Sequence, residues 1–393
     1  MENDIKFLRI QNFKSIKDIT LHPRRVNLII GEPNVGKSNL LEAMTLLGGI
    51  TYEQTEKFMG SFIRYEEPRQ LFYDNLVGNT IRVTVDSLEG LIGFDEDNDR
   101  FWYSLIKYAL PEEIRLPANN TVTNSELVKR PAKQTSGASN VEKVPPQKPI
   151  VPKQEIRSNI FFDEKGAYDL KLLKKLTNAE KLFLRSAFVR AYTFTKRHLV
   201  NRELSYTYLN PPHGSNLINV MQAWPELRRE ISKLFERYGQ KLQLRMDERR
   251  LEIIKDQDGI IYSYPYSSVA DTLQRIIFYL AAIESNDDAV LLFEEPEAHS
   301  FPVYVSKLGG RIVESRNNQF FIDTHSPYLI TEILETMLPD DAQAGELAMF
   351  AAYYEDHQTK VHQLSDEEIR SIRADGIDVF YNMKRFTTGA ADA

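Results

Sequence analysis

The residues Gly31-Glu32-Pro33-Asn34-Val35-Gly36-Lys37-Ser38 combine the types that wrap a polyphosphate. Gly31 and Gly36 let the backbone fold into a nest of N–H groups, and a helix starting there adds the positive end of its dipole. Lys37 reaches the outer phosphates, and the Ser38 hydroxyl is placed to hold a magnesium ion. Asn34 within the loop and Asn39 just after it belong to the same nucleotide-contacting set. The ligands implied are ATP and Mg2+. Far downstream, the apolar run Ala289-Val290-Leu291-Leu292-Phe293 leads into Glu294-Glu295-Pro296-Glu297-Ala298-His299. Paired carboxylates at a strand end suit nucleotide hydrolysis: Glu294 is read as the magnesium carboxylate and Glu295 as the base that polarises the attacking water. If the roles were reversed, removing Glu294 would be the change that stops turnover. A third group, His325 in Asp323-Thr324-His325-Ser326-Pro327, lies just past another apolar strand and is read as a sensor of the γ-phosphate. Alone, a histidine beside Ser and Pro is more often part of a capped turn than a ligand, and its place after the paired carboxylates favours the sensor reading.

These groups need elements to hold them. The run Val26 to Ile30 predicts a buried strand before the phosphate loop, and a helix follows over 36–47. Strands are expected near 4–11, 18–30 and 80–95, forming with that helix a first unit over 1–95. Residues 96–205 are expected to be an inserted helical lobe. Within it, 116–157 is rich in Pro, Asn, Thr, Ser, Lys and Gln with few apolar anchors, and reads as a flexible linker. Leu172, Leu173, Leu176, Leu182, Leu184, Phe188 and Val189 supply an apolar face for helices over 165–205. Residues 206–393 then complete the domain. A helix opens at Pro225 and runs to about Tyr238, a meander from Lys241 to Tyr264 turns at Asp258-Gly259, and a helix spans Ile276 to Ile283. A further helix from Pro327 to Met337 precedes strands over 347–354 and 360–364.

The order of phosphate loop, paired carboxylates and Thr-His-Ser resembles the ABC-type ATPase heads of the RecF, SMC and OLD group. It is closest to the compact bacterial branch of AAA family ATPases. The opening Ile5 to Ile16 and the segment Pro212-His213-Gly214-Ser215-Asn216-Leu217 are similar to an N-terminal strand and a loop of those heads, and Glu294 to His299 is the most specific match. The resemblance implies an α/β P-loop NTPase, an ABC-ATPase-like head with a mixed sheet. It also implies a homodimer or higher oligomer in which each head offers a signature serine to its partner's γ-phosphate. Ser267 and Ser268, in Tyr266-Ser267-Ser268-Val269-Ala270-Asp271-Thr272-Leu273-Gln274-Arg275, are the candidates. This segment departs from the family pattern: Asp271 stands where a small residue is usual, and Arg275 is available to offset its charge. A helix cap is the other reading of the two serines. Gln70 is the candidate for the glutamine that touches magnesium in such heads, against a plain loop role.

Composition narrows the role. With no cysteine, disulfides, thiol catalysis and Cys-based zinc sites are excluded. The first 25 residues lack a signal-peptide core and no apolar run is long enough to span a membrane, so a cytoplasmic location is expected. No heptad run persists for a long coiled coil. A net charge of −7 argues against a globally basic nucleic-acid coat while leaving open a local groove formed on dimerisation. The C-terminal sequence has no room for a Toprim nuclease, so a separate, nuclease-like effector is the expected partner. The resemblance to the ATPase halves of PARIS and Septu modules implies antiphage defence. The alternatives are a RecF-like DNA repair ATPase and a slow, ATP-locked scaffold.

Overall fold

The computed structural model describes residues 2–53, 55–108, 154–168, 188–196, 206–245 and 247–387. The site is built on strands β3 (Val26–Gly31), β8 (Val189–Tyr192), β12 (Ala289–Glu294), β13 (Asn318–Asp323), β14 (Leu347–Glu355) and β15 (Gln358–Gln363). They form one sheet in the order β15-β14-β3-β13-β12-β8. All but β15 run parallel, and β15 returns antiparallel at the edge.

These strands are near-continuous apolar runs because both faces of a parallel sheet are covered. Side chains alternate between two cores with period two. Val26, Leu28 and Ile30 of β3, Leu291 and Phe293 of β12, and Phe320 and Ile322 of β13 enter one core. There they meet helices α4 (Asp271–Ser285), α5 (Pro302–Glu314) and α6 (Pro327–Met337) through Ile277, Leu308 and Ile333. Ile29, Leu292, Phe321 and Phe350 face the other core, shared with Leu40 and Met44 of helix α1 (Lys37–Thr45). Each of these fully buried Leu, Ile and Phe side chains contributes about 1.5–3 kcal/mol against exposure.

The second core is closed by a six-stranded antiparallel sheet of β1 (Leu8–Phe13), β2 (Ile16–Leu21), β4 (Ile81–Val85), β5 (Leu88–Asp95), β6 (Arg100–Tyr108) and β7 (Gln154–Phe162). Its strand order is β2-β1-β4-β5-β6-β7. A three-stranded meander, β9 (Gln240–Arg245), β10 (Arg250–Gln257) and β11 (Ile260–Pro265), follows helices α2 (Leu217–Ala223) and α3 (Pro225–Glu236) and leads into α4.

The mixed α/β head, the meander, the helix at Pro225 and the helix over 327–337 match expectation, and other boundaries differ. The single strand expected over 18–30 is two strands from different sheets, and 80–95 is a hairpin turning at Asp86, where φ is 30°. Residues 96–205 are not a helical lobe where they are described. Tyr108 of β6 pairs with Gln154 of β7 in the antiparallel sheet, and Val189 lies in β8 beside β12 rather than on a helix. Most of the expected linker, 116–153, and the helical stretches 169–187 and 197–205 lie outside the described residues, while 154–157 already belong to β7.

Candidate nucleotide site

β3 ends at Gly31, and the chain turns through Asn34 (φ 64°) and Gly36 (φ 94°) before α1 starts at Lys37. Gly36 is the residue before the helix and no side chain caps it, so the first N–H groups of α1 open into the loop. No other residue fits at Gly36, because a Cβ would lie 2.1 Å from Thr359 Oγ1 and 2.7 Å from Ser15 Oγ. Those two hydroxyls buttress the loop. Thr359 donates to the Val35 carbonyl at 2.8 Å and bonds Ser15 Oγ at 2.6 Å, and Asn39 Nδ2 donates to Ser15 Oγ at 2.7 Å. Asn39 thus secures the loop from below.

Lys37 is buried, and its ammonium donates to the carbonyls of Gly31 (3.2 Å) and Glu32 (2.9 Å), leaving one of its three N–H bonds for an anion. Burial lowers its pKa, opposed by the carboxylates of Asp323 and Glu295. Ser38 Oγ donates to Asp323 Oδ2 at 3.2 Å.

Two carboxylates therefore end neighbouring strands, with Glu294 on β12 directly opposite Asp323 on β13. Asp323 is buried; its Oδ1 has no hydrogen-bond partner, and its pKa is pushed up to about 7 by burial and by nearby Glu294 and Glu295. Glu294 is engaged elsewhere: its Oε1 accepts from Arg64 Nη2 at 2.7 Å, while Arg64 Nε donates to Glu42 Oε1 at 2.8 Å. Glu42, buried on α1, also pairs with Lys14, whose ammonium donates to the Arg64 carbonyl at 2.7 Å.

Glu295 follows with φ 42°, a left-handed conformation that a non-glycine residue holds only at a cost and that turns its side chain out of the strand path. Its N–H donates to the Asp323 carbonyl at 2.9 Å, and its half-exposed carboxylate lies 3.7 Å from His325 Nε2. The His325 backbone is fixed by Glu297, which accepts from His325 N–H at 2.8 Å and from Thr324 Oγ1 at 2.6 Å. Burial and the Lys37 charge lower the pKa of His325 against the pull of Glu295, which favours neutral imidazole. Gly31, Gly36, Lys37, Ser38, Glu294, Glu295 and His325 thus converge at one end of the parallel sheet.

Other expected residues stand apart. Gln70 turns back on its own chain: its Oε1 accepts from the N–H groups of Glu66 at 2.7 Å and Glu67 at 3.4 Å. The reason is competition, since a short 3₁₀ turn starting at Pro68 offers backbone donors at ideal reach. Its carboxamide oxygen is thus engaged by its own turn. Ser267 and Ser268 are exposed in a 3₁₀ turn ahead of α4, and Ser268 Oγ donates to the Pro265 carbonyl at 2.7 Å. Neither serine caps α4, because Ala270 holds that position without a side-chain bond. Arg275 approaches the Glu295 carbonyl (3.5 Å) and stacks on Phe194, so it serves its own chain's carboxylate loop. Thr272 ties the start of α4 to the same loop by donating to the His299 carbonyl at 2.9 Å.

Sequence reasoning passed over Asp323, Arg64, Ser15, Thr359 and Glu297. Asp323 had a signal, being a carboxylate that ends an apolar strand just as Glu294 does. The other four become visible only in three dimensions. Among the described residues no three His, Asp or Glu side chains form a metal cage. Magnesium needs none, as it keeps several waters and takes one or two carboxylates plus phosphate oxygens. The hard oxygens of Ser38 and Asp323, including the buried unpartnered Oδ1, fit that demand.

A family model described as "AAA domain, putative AbiEii toxin, Type IV TA system" matches residues 26–331, from the start of β3 into α6. No curated protein matches the chain. Similar solved structures include an SMC head bound to the C-winged helix domain of ScpA, at 13% identity and a TM-score of 0.47, covering 94% of this chain and 99% of that one. Another is the SMC head domain from Thermotoga maritima, at 11% identity and a TM-score of 0.37, covering 92% and 99%. An SMC head from Pyrococcus furiosus with an extended coiled coil, bound to the C-terminal domain of ScpA, has 12% identity and a TM-score of 0.46, covering 94% and 98%. Among the described residues, no helix is long and apolar enough to cross a membrane.

Proposed function

The chain belongs to the AAA domain family whose model it matches over more than half its length, and from that premise we propose that it is a magnesium-dependent ATPase whose heads associate around ATP. The observation that carries this reading is the meeting of the Lys37 loop with the carboxylate ends of β12 and β13 at one end of the parallel sheet.

In this reading the backbone N–H groups of residues 34–38 and the Lys37 ammonium hold the phosphates. Ser38 and a strand-end carboxylate would hold magnesium, which would offset the charge of the phosphates. Glu295, turned outward by its left-handed backbone, takes the proton of the attacking water. His325, whose lowered pKa favours the neutral imidazole, donates toward the γ-phosphate, and its backbone is held by Glu297. The incomplete enclosure of the γ-phosphate by one head calls for donors from a second, and exposed Ser267 or Ser268 would supply them.

Lys37→Ala should abolish ATP binding, whereas Glu295→Gln should bind ATP normally and hydrolyse it on the order of 100-fold more slowly. Binding of a fluorescent ATP analogue and phosphate release on the same samples test this; undiminished hydrolysis by Glu295→Gln sinks the assignment.

The biological role we propose is a sensor ATPase that controls a separate, nuclease-like effector in antiphage defence. It is supported by the likeness of the motifs to PARIS, Septu and OLD heads and by a family description that includes a toxin of a type IV toxin–antitoxin system. A slow scaffold is favoured by one feature, the carboxylate of Asp271 in the first turn of α4 beside the candidate serines. Asp271→Gly should raise turnover if that carboxylate restrains it.

A further inference from the structure

β13 lies between β3 and β12, so a carboxylate ending β13 is one strand spacing, about 4.8 Å, nearer the phosphate loop than one ending β12. That geometry separates the two strand-end acids. Asp323 Oδ2 accepts the Ser38 hydroxyl, while its Oδ1 is buried with no partner at all. A buried, unpartnered carboxylate oxygen is costly and needs a cation or donor to justify it. Glu294 has already been given its cation. Arg64 sits on its Oε1 and is itself held by Glu42, which Lys14 braces from behind. The sequence signature points to β12 for the metal, but of the two strand-end acids it is Asp323 on β13 that carries the unfilled oxygen.

We propose that Asp323, acting with Ser38, is the carboxylate that faces nucleotide-bound magnesium, and that Glu294 is a positioning acid neutralised by Arg64. The assignment rests on the ATPase reading above and moves the metal role of the motif across to the neighbouring strand. It also explains why Glu295 hangs its N–H from the Asp323 carbonyl: the metal-facing acid and the base are then fixed to each other through one residue.

The test uses Mn2+ as a spectroscopic stand-in for magnesium, with binding of Mn2+–ATP to the full chain followed by electron paramagnetic resonance. Asp323→Asn should weaken Mn2+ binding in the presence of ATP by about tenfold or more, and Glu294→Gln should change it by less than about threefold. The converse, loss in Glu294→Gln with Asp323→Asn unchanged, overturns the proposal. Should Asp323→Asn fail to fold, a thiol settles the matter, since the sequence has no cysteine and an introduced one is unique. Asp323→Cys should shift the preference of the ATP-loaded site from Mn2+ toward Cd2+ by about tenfold, because thiolate favours the softer ion, and Glu294→Cys should not. A cadmium shift in Glu294→Cys alone would refute the assignment. If the parent protein itself does not bind Mn2+–ATP, the ATPase reading fails. If it does and neither acid matters, only the present assignment fails.

Discussion

Asp323 is a liability to the metal-free fold, and the size of that liability can be worked from its surroundings. In the unfolded chain its carboxyl ionises near 3.8, whereas burial beside Glu294 and Glu295 raises it to about 7 in the fold. The folded state therefore binds the proton more tightly, so the stability this group supports is complete below pH 3.8, declines as pH rises and is fully lost above about 7. Each pH unit in that window is worth about 1.4 kcal/mol, so between pH 5 and pH 8 the parent should lose roughly 3 kcal/mol through this one residue. Asp323→Asn keeps the size and an oxygen for the Ser38 hydroxyl but cannot ionise. Urea unfolding of both proteins in excess chelator, at pH 5 and pH 8, is the assay. The variant should gain on the parent by roughly 3 kcal/mol between the two pH values and be the more stable protein at pH 8. A stability difference that stays flat across that range would refute the buried-charge reasoning, whatever the role of Asp323 toward metal.

Gly36→Ala should lower ATP affinity by about tenfold or more, because the methyl would strike Thr359 Oγ1 and Ser15 Oγ and the φ of 94° disfavours any side chain; titration with a fluorescent ATP analogue checks it, and parent-like affinity would mean the loop yields. Gln70→Ala should leave the magnesium dependence of hydrolysis unchanged, within about twofold, since its carboxamide serves the turn at Pro68. Replacing Ser267 and Ser268 together with alanine should reduce ATP-dependent dimer, read by light scattering in the Glu295→Gln background, while ATP binding by single heads stays as before. A dimer that forms equally without nucleotide would show that the heads join through another surface.

How far the sequence discloses these features depends on how local they are. The phosphate loop and the acids after β12 are consecutive residues whose chemistry needs no distant partner to be recognised, and the structure brings them together at one sheet end. Gln70 is the contrasting case, a side chain near the right point in the chain whose carboxamide oxygen is taken by its own turn. β6 and β7 were hidden for a different reason. Tyr108 and Gln154 are register partners across a long segment poor in apolar anchors, and hydrophobic periodicity says nothing about pairing across such a gap. β8 is four residues long, too short for alternation to tell strand from helix, and its identity comes from β12 alongside it. Asp323 is legible, since β13 is an apolar strand that ends in an acid just as β12 does, two residues before the histidine.

The buttress beneath the phosphate loop ties the site to residues far along the chain. β3 has β13 and β14 as its two sheet neighbours, and Thr359, which fills the space under Gly36, lies near the start of β15. The eight residues of the phosphate-binding motif are therefore shaped by partners about 280 to 330 residues away in sequence. The motif is thus local in sequence while its shape is not, and a fragment that carries residues 31–38 without β13, β14 and Thr359 lacks the neighbours that set the loop.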